Sequence, residues 1–304
     1  MKTSIIFKML AATSLSALAL ASCNKIETSS TADSLVAAKI NAGIQTKVQG
    51  ATWDPNDAIG ITTSGNAKKD GSEYVNIKYT IDGTGTFRGS DIFYQNPGDV
   101  TFTAYYPYLG QENSKPGTDG VISSKTSAAN QSGNAQKLID YMWAQTTAKV
   151  SSPDVNFTGG NAFTHKMSML TLTFKKGDDV LLADLSKYTL GGLTLDGQFN
   201  TINGTANANG TAEPLSITLS DVAEGTSYTA GSLILFPQSI GTGKIQLTVT
   251  LNAQEYKTEL TLASLEPGKN HTFNITVKKT GISSAAAEIT DWVAEPGADA
   301  EATM

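Results

Sequence analysis

Apolar and polar side chains alternate with a period of two near the start of this chain. Every second position is apolar, at Val36, Ala38, Ile40, Ala42 and Ile44. From position 39 onward the intervening residues are polar or glycine. Successive side chains of a strand point to opposite faces, so the pattern predicts one half-buried strand over 36–44. A turn-like stretch follows at 53–57.

Short runs of the same kind predict strands through the rest of the chain. In the first half they cover 58–62, 74–79 and 100–106. In the second half they cover 169–174, 215–219, 232–236, 244–251, 256–262, 271–277 and 288–293. The polar stretch 111–133 is predicted to be a long surface loop, and 138–144 fits either a strand or a helical turn.

These patterns predict an all-β protein built from two β-sandwiches. Threonine on one face of a strand and aliphatic residues on the other are typical of two packed sheets. We place the N-terminal sandwich over 48–160 and the C-terminal sandwich over 161–304. Residues 23–47 are then a tether and a first strand, and 1–22 a signal segment.

The N-terminal residues have the order of a secretory signal. Lys2 and Lys8 precede an apolar stretch at 9–21, which is shorter than the roughly 20 residues of a membrane-spanning helix. The stretch Leu-Ala-Ser-Cys at 20–23 resembles the lipobox of bacterial lipoproteins. That resemblance implies cleavage after residue 22, acylation of Cys23 and anchoring to the outer membrane.

Charge and composition exclude several classes of protein. The formal net charge is -6, and it becomes -8 when Lys2 and Lys8 leave with the signal segment. A nucleic-acid binder needs a basic patch, which this sequence lacks, and direct attraction to anionic lipid is also unfavourable. Two histidines and one cysteine make a His/Cys metal site or a cysteine–histidine enzyme improbable. We expect no cofactor and no metal.

Catalytic candidates are few. His165 and His271 stand at predicted strand ends, and we expect both to bond to backbone rather than to act in catalysis. No spacing typical of a nucleophile elbow, a zinc protease or a phosphate-binding loop occurs. The sequence neither favours nor excludes a pair of glycosidase carboxylates, because the two residues of such a pair are commonly distant in sequence. The prediction is a protein that is not an enzyme.

The three tryptophans allow two interpretations. Trp53, Trp143 and Trp292 could form an exposed platform on which a sugar stacks. Alternatively they fill the cores of the sandwiches, which is the interpretation that we favour. An exposed coplanar pair would support a monomeric surface lipoprotein that binds glycan or protein.

Seven motifs, in order along the chain, carry a resemblance to a known family. They are WDPNDAIG at 53–60, AYYPY at 104–108, MWA at 142–144, FTHKMS at 163–168, FPQ at 236–238, PGKNHTF at 267–273 and ITDW at 289–292. Together with the lipobox they resemble the fimbrillin-like lipoproteins of Bacteroidetes, the subunits of type V pili. The resemblance implies two transthyretin-like sandwiches, exposure at the cell surface and adhesion.

The resemblance also implies an assembly mechanism. Stalk subunits of the family are cut after an Arg that follows the first strand, and a strand from the next subunit fills the vacated groove. Here the basic residue after the first strand is Lys47, followed by Val48, so the chain departs from the Arg pattern. Either another protease cuts at this position or the subunit is not processed.

The C-terminal end provides a possible donor strand for a neighbouring subunit. Residues 285–293, with Ile289 and Trp292, could fill such a groove, although the tail after them is short and acidic. Stalk, anchor and tip roles stay open, as do the ligand on a host or bacterial surface and O-glycosylation at Ser34. The expected partners are other copies of the chain, other fimbrial subunits and outer-membrane lipid.

Overall fold

The computed structural model describes residues 35–45, 52–65, 67–68 and 70–292 as an all-β structure. The strands of the first half are β1 (Val36–Ala37), β2 (Lys39–Ala42), β3 (Ala58–Ser64), β4 (Ile77–Ile81), β5 (Phe87–Gly89), β6 (Phe93–Tyr94), β7 (Val100–Tyr106), β8 (Val121–Lys125), β9 (Met142–Ala148) and β10 (Asp154–Phe157). One short helix, α1 (Gly133–Lys137), and two single 3₁₀ turns, Ala128–Asn130 and Gly159–Asn161, lie among them.

The second half continues the same architecture. Its strands are β11 (Thr164–His165), β12 (Ser168–Lys176), β13 (Leu185–Thr194), β14 (Asp196–Asn200), β15 (Thr205–Ala208), β16 (Ala212–Thr218), β17 (Ser227–Thr229), β18 (Leu233–Leu235), β19 (Gln238–Ser239), β20 (Lys244–Leu251), β21 (Gln254–Thr261), β22 (Ser264–Leu265), β23 (Lys269–Lys278), β24 (Gly281–Ser284) and β25 (Glu288–Asp291). A third 3₁₀ turn covers Leu182–Asp184. None of the helices in the described ranges is long and apolar enough to cross a membrane.

The first half is organised around a six-stranded antiparallel sheet with the order β11-β9-β7-β3-β4-β5. Its inward side chains, among them Ile59, Ile61 and Phe102, are fully buried. They belong to the N-terminal core, a cluster that also contains Val155, Phe157 and Phe163. Predicted strand 100–106 is confirmed by β7, while predicted strand 74–79 is shifted, since β4 begins only at Ile77.

The second half contains two larger sheets that share one apolar core. One has the order β17-β12-β23-β24, and in it β18 also pairs with β12 and β25 with β23. The other has the order β16-β13-β20-β21. The predicted hairpin at 244–262 is confirmed as β20 and β21. Its two-residue turn places Asn252 and Ala253 at φ of 44° and 64°, as a type I′ turn requires.

The prediction of a surface loop over 111–133 is wrong in its central part. Residues 121–125 form β8, which pairs with β14 in the three-stranded sheet β15-β14-β8. The stretch contains a single large apolar buried side chain, Ile122, which belongs to a third cluster together with Phe199 and Trp292. The strand was not predicted because most of its residues are polar, whereas its pairing with β14 is formed by backbone groups. The ambiguous stretch 138–144 leads from α1 into β9.

Candidate strand-exchange groove

Residues 35–45, which we call the leading segment, lie along the edge of the N-terminal core. β1 pairs antiparallel with β6, and β2 pairs parallel with β10. The expected single strand over 36–44 is therefore wrong in one respect, because the pairing partner changes at Ala38. The Ala38 N–H donates to the Ile92 carbonyl at 2.8 Å, and the next N–H, of Lys39, donates to Pro153 at 3.0 Å.

The side chains of the leading segment follow the predicted alternation from Ala38 onward. Ile40 and Ile44 are buried in the N-terminal core, and Ala38 and Ala42 are partly buried against it. Lys39 and Asn41 on the opposite face are exposed. Val36 departs from the pattern with 36% exposure, because it precedes the change of partner. The two isoleucines thus account for most of the apolar anchoring of this segment.

A chain of backbone hydrogen bonds continues beyond β2. The Gly43 N–H donates to Phe157 at 2.9 Å, and the Gln45 N–H donates to Phe163 at 2.9 Å. The Phe163 N–H returns a bond to the Gly43 carbonyl at 3.0 Å, next to an isolated parallel bridge between Ile44 and Phe163. Within the described part of the chain, β2 pairs with β10 alone. The leading segment is therefore an edge element.

Trp53 closes the leading segment against the core, a role that the sequence reasoning missed. Its indole N–H donates to the Ala42 carbonyl at 3.0 Å. Its ring contacts Phe163 and Phe87 edge-to-face, with centroid separations of 5.3 and 5.2 Å. The turn that carries it is fixed by the Asp54 N–H, which donates to an Asp57 carboxylate oxygen at 2.8 Å. A tryptophan at the start of the turn-like stretch that follows the predicted strand was the available signal.

The C-terminal donor candidates lie in the second half. β25 pairs with β23 and places Ile289 opposite His271, with 49% of Ile289 exposed. Trp292 is only 2% exposed, and its backbone N–H donates to the Gly268 carbonyl at 3.0 Å. The Trp292 ring stacks on His165 with centroids 4.0 Å apart. In the described part of the chain, β25 pairs with β23 and not with the leading segment.

The remaining predicted sites lie outside the described residues. This holds for the lipidation site Cys23, the glycosylation candidate Ser34 and the processing pair Lys47 and Val48. The described residues before the processing pair end at Gln45, and those after it begin at residue 52.

Comparison with known proteins decides the family of the chain. Residues 46–292 match the family described as fimbrillin-like. The chain belongs to the fimbrillin-like family. The matched region begins directly after the leading segment and ends at Trp292. The prediction of an all-β sandwich fold of this family is thereby confirmed.

Solved structures support the same assignment. A Bacteroides ovatus protein, named as a candidate cell adhesion protein, is 32% identical with a TM-score of 0.74, over 86% of this chain and 99% of its own. A similarly named Bacteroides uniformis protein is 24% identical with a TM-score of 0.64, over 86% and 99% of the two chains. The tip fimbrial protein Mfa3 from Porphyromonas gingivalis, with a C-terminal truncation, shares the fold at a TM-score of 0.52 and 9% identity, over 84% and 100%. No curated protein matches the sequence.

Both histidines of this fimbrillin-like chain are buried, and each forms a hydrogen bond inside the protein. His271 Nε2 accepts the Glu266 N–H at 3.1 Å, which confirms the expected bond to backbone. Burial lowers the pKa of His271. The expectation for His165 is wrong, because its Nδ1 bonds to the Asp140 carboxylate at 2.7 Å inside the core. Among the described residues, no group of His, Cys, Asp and Glu side chains could hold a metal ion.

The tryptophans of the fimbrillin-like chain do not form a platform. Trp53 packs against Phe87 and Phe163, Trp292 is buried, and Trp143 is half-buried with its indole N–H donating to the Thr201 carbonyl at 3.2 Å. No two of the three stack on each other. The exposed coplanar pair that would favour a monomeric glycan binder is therefore not formed by these side chains.

Family membership supports a fimbrial-type subunit at the cell surface that associates with other fimbrial subunits.

Proposed function

We propose that this protein is a type V fimbrial subunit, anchored in the outer membrane through lipid on Cys23 and assembled by strand exchange. Processing at Lys47 and Val48 releases the leading segment. The vacated groove, lined by β10, Phe163 and Trp53, then accepts a strand from a neighbouring subunit. Residues 285–293, which include Ile289 and Trp292, are the candidate donor of such a strand, and donation would require β25 to leave its pairing with β23 and Trp292 to leave its buried position.

The observation that carries this proposal is the position of the leading segment. It is an edge element, and its own chain supplies its backbone partners through β6, β10 and Phe163. Loss of the segment would leave these groups unpaired next to the apolar positions now filled by Ile40 and Ile44. Unpaired edges and apolar grooves favour strand addition, because an incoming backbone satisfies both.

The energetics favour a durable polymer. Each backbone hydrogen bond restored between subunits contributes about 0.5–1.5 kcal/mol net. Burial of apolar side chains in the places of Ile40 and Ile44 adds about 25 cal/mol for each Å² removed from water. Since both contributions depend on the same docked strand, they are lost together when it leaves. We therefore expect fibres that dissociate slowly.

Processing would also decide where the subunit resides. Cys23 precedes the leading segment, so a cut after Lys47 separates the lipid from the rest of the chain. A cut subunit leaves the membrane and joins a fibre, whereas an uncut subunit remains anchored at the base. Stalk and anchor roles thus differ by one proteolytic step.

Replacement of Lys47 by Gln in the native host tests this mechanism. We expect wild-type cells to yield SDS-resistant ladders of subunits that begin at Val48, and Lys47→Gln cells to retain full-length subunits in the membrane. Lys39→Gln is the matched control, because Lys39 is an exposed lysine within the docked β2. The control should form ladders like the wild type.

Two results would count against the mechanism. Fibres of Lys47→Gln subunits that still begin at Val48 would show that Lys47 does not direct processing. Ladders built from uncut wild-type subunits would show that release of the leading segment is unnecessary.

A further inference from the structure

A cavity of about 740 Å³ lies where the leading segment ends and where the described C-terminal residues end. Gln45 lines it from the first side, and Asp291 and Trp292 line it from the second. The walls between them come from β11, from the start of β15 and from the turn before β23. Small-molecule sites commonly enclose about 300–1,000 Å³, so this cavity is large enough for a small ligand.

Lys166 gives this cavity a positive charge. The structure pairs its ammonium group with no carboxylate among the described residues. The group lies instead over the Trp143 ring, 5.3 Å from the centroid. Burial lowers the pKa of Lys166, as expected for a cation that is partly removed from water. The second lysine of the wall, Lys269, forms an ion pair with Asp291, so these two charges cancel.

The net charge of the cavity therefore contrasts with the acidic chain around it. A half-buried ammonium without an acidic partner favours a ligand that carries an anionic group, because a charge-assisted hydrogen bond would compensate its lost hydration.

Groups suited to hydroxylated ligands surround the lysine. Thr164, Thr205 and Asn207 line the cavity. The hydroxyls of Thr164 and Thr205 already donate to the Trp143 carbonyl and to Asn203 Oδ1, so they can still accept, and the Asn207 amide can donate or accept. Two buried nitrogens in the same wall, His165 Nε2 and Trp292 Nε1, have no hydrogen-bond partner among the described residues. A ligand hydroxyl that reached either nitrogen would supply the missing partner.

We propose that this cavity binds an acidic monosaccharide of the uronic acid class. The sugar carboxylate accepts from Lys166, and the hydroxyls bond to Thr205 and Asn207. A sugar fits better than a peptide carboxylate, because the polar groups are distributed around the cavity rather than along one strand. The site is complete only while the leading segment and the end of the C-terminal half are docked, because Gln45, Asp291 and Trp292 line it, so the test uses the uncut chain.

Calorimetric titration of the full chain in detergent with D-glucuronate tests the proposal. D-glucose is the matched neutral probe, since it has the same ring with a hydroxymethyl group in place of the carboxylate. N-acetyl-L-glutamate provides two carboxylates without the sugar ring, so it tests whether negative charge alone is sufficient for binding. We expect saturable binding of glucuronate and binding of both other probes weaker by about tenfold or more, as loss of a charged hydrogen bond or of several neutral ones implies.

Three variants assign the site. Lys166→Gln should weaken glucuronate binding about tenfold or more, and Lys166→Arg should retain it because the charge remains. Lys175→Gln removes an exposed lysine of β12 outside the cavity and should bind like the wild type. Equal binding of glucose and glucuronate by the wild type would overturn the proposal even if Lys166→Gln failed to fold. So would no glucuronate binding, equal binding of N-acetyl-L-glutamate, or unchanged binding by Lys166→Gln.

Discussion

Each of the two buried histidines has one ring nitrogen bonded and the other without a hydrogen-bond partner in the part of the chain that the structure describes. In His271 the backbone N–H of Glu266 donates to Nε2, so we assign the proton of the neutral ring to Nδ1. In His165 the carboxylate of Asp140 can only accept when ionised, so we assign the proton to Nδ1 there as well. The same type of residue therefore meets a neutral donor at one site and a carboxylate at the other.

Protonation of His271 should destabilise the folded protein. A second proton on the ring would remove the bond from Glu266, and burial disfavours the charge, so the folded pKa lies below the ordinary value of 6.5. As pH falls below about 6.5, the unfolded state binds the proton first, and the free energy of unfolding decreases until the folded pKa is reached. His271→Gln should lose this part of the pH dependence. Urea unfolding at pH 7.5 and at about pH 5 measures it, and equal changes in both proteins would contradict the assignment.

At the scale of elements, strands with a regular alternation could be predicted from sequence. β20 and β21 alternate through the Asn-Ala turn, and β7 is stopped by Pro107. β13 was missed, because Gly191 and Gly192 interrupt its pattern where the pairing with β16 shifts register. A bulge changes which face a side chain occupies, so the period of two is lost locally. Sequence periodicity detects side-chain burial, and it does not detect backbone partners.

The leading segment shows the same limit within the candidate site. Its buried face at Ile40 and Ile44 could be predicted, since the alternation there is regular. The change of partner at Ala38 could not, because β6 and β10 are distant in sequence. The contact from Trp53 to the Ala42 carbonyl was likewise hidden, since it joins a side chain to a backbone atom across a turn.

Ile40→Asp tests whether the leading segment contributes to the fold. The substitution places an unpaired charge in the N-terminal core, which should cost several kcal/mol if the segment is docked. We expect a clearly lower melting temperature. Asn41→Asp is the control, because it adds the same carboxylate at the neighbouring exposed position. If both variants melted like the wild type, the segment would be a tether without a structural role.

At the scale of the whole molecule, the buried apolar residues of the described ranges form three clusters rather than two. The N-terminal core contains residues from Ile40 to Phe163, and the C-terminal core contains residues from Leu170 to Val277. The third cluster joins residues from both halves, such as Tyr105 and Tyr141 with Phe199 and Trp292. Tyr141 and Phe199 stack with centroids 4.6 Å apart. The division at residue 160 stays a prediction, and this shared cluster indicates that the two halves would unfold in a coupled manner.

In the proposed function, attachment of the molecule to the membrane depends on the segment before the fold. With a net charge of -8 after the proposed loss of the signal, the chain would gain nothing from anionic lipid, so acyl chains would have to supply the attachment. Each buried CH₂ of an acyl chain contributes about 0.8 kcal/mol, and several chains on one residue give stable anchoring. The cell-surface location of a fimbrial subunit is compatible with this arrangement.

Cys23→Ala separates lipid anchoring from export. Without the thiol no acyl chain can be attached, and the lipoprotein peptidase has no modified substrate. We expect an uncleaved precursor that takes up no labelled palmitate. Ser22→Ala keeps a small residue before the cysteine, so it should be labelled and processed like the wild type. A labelled and normally processed Cys23→Ala protein would show that the cysteine is not the anchor, and the proposed release of lipid by cutting at Lys47 would then have no basis.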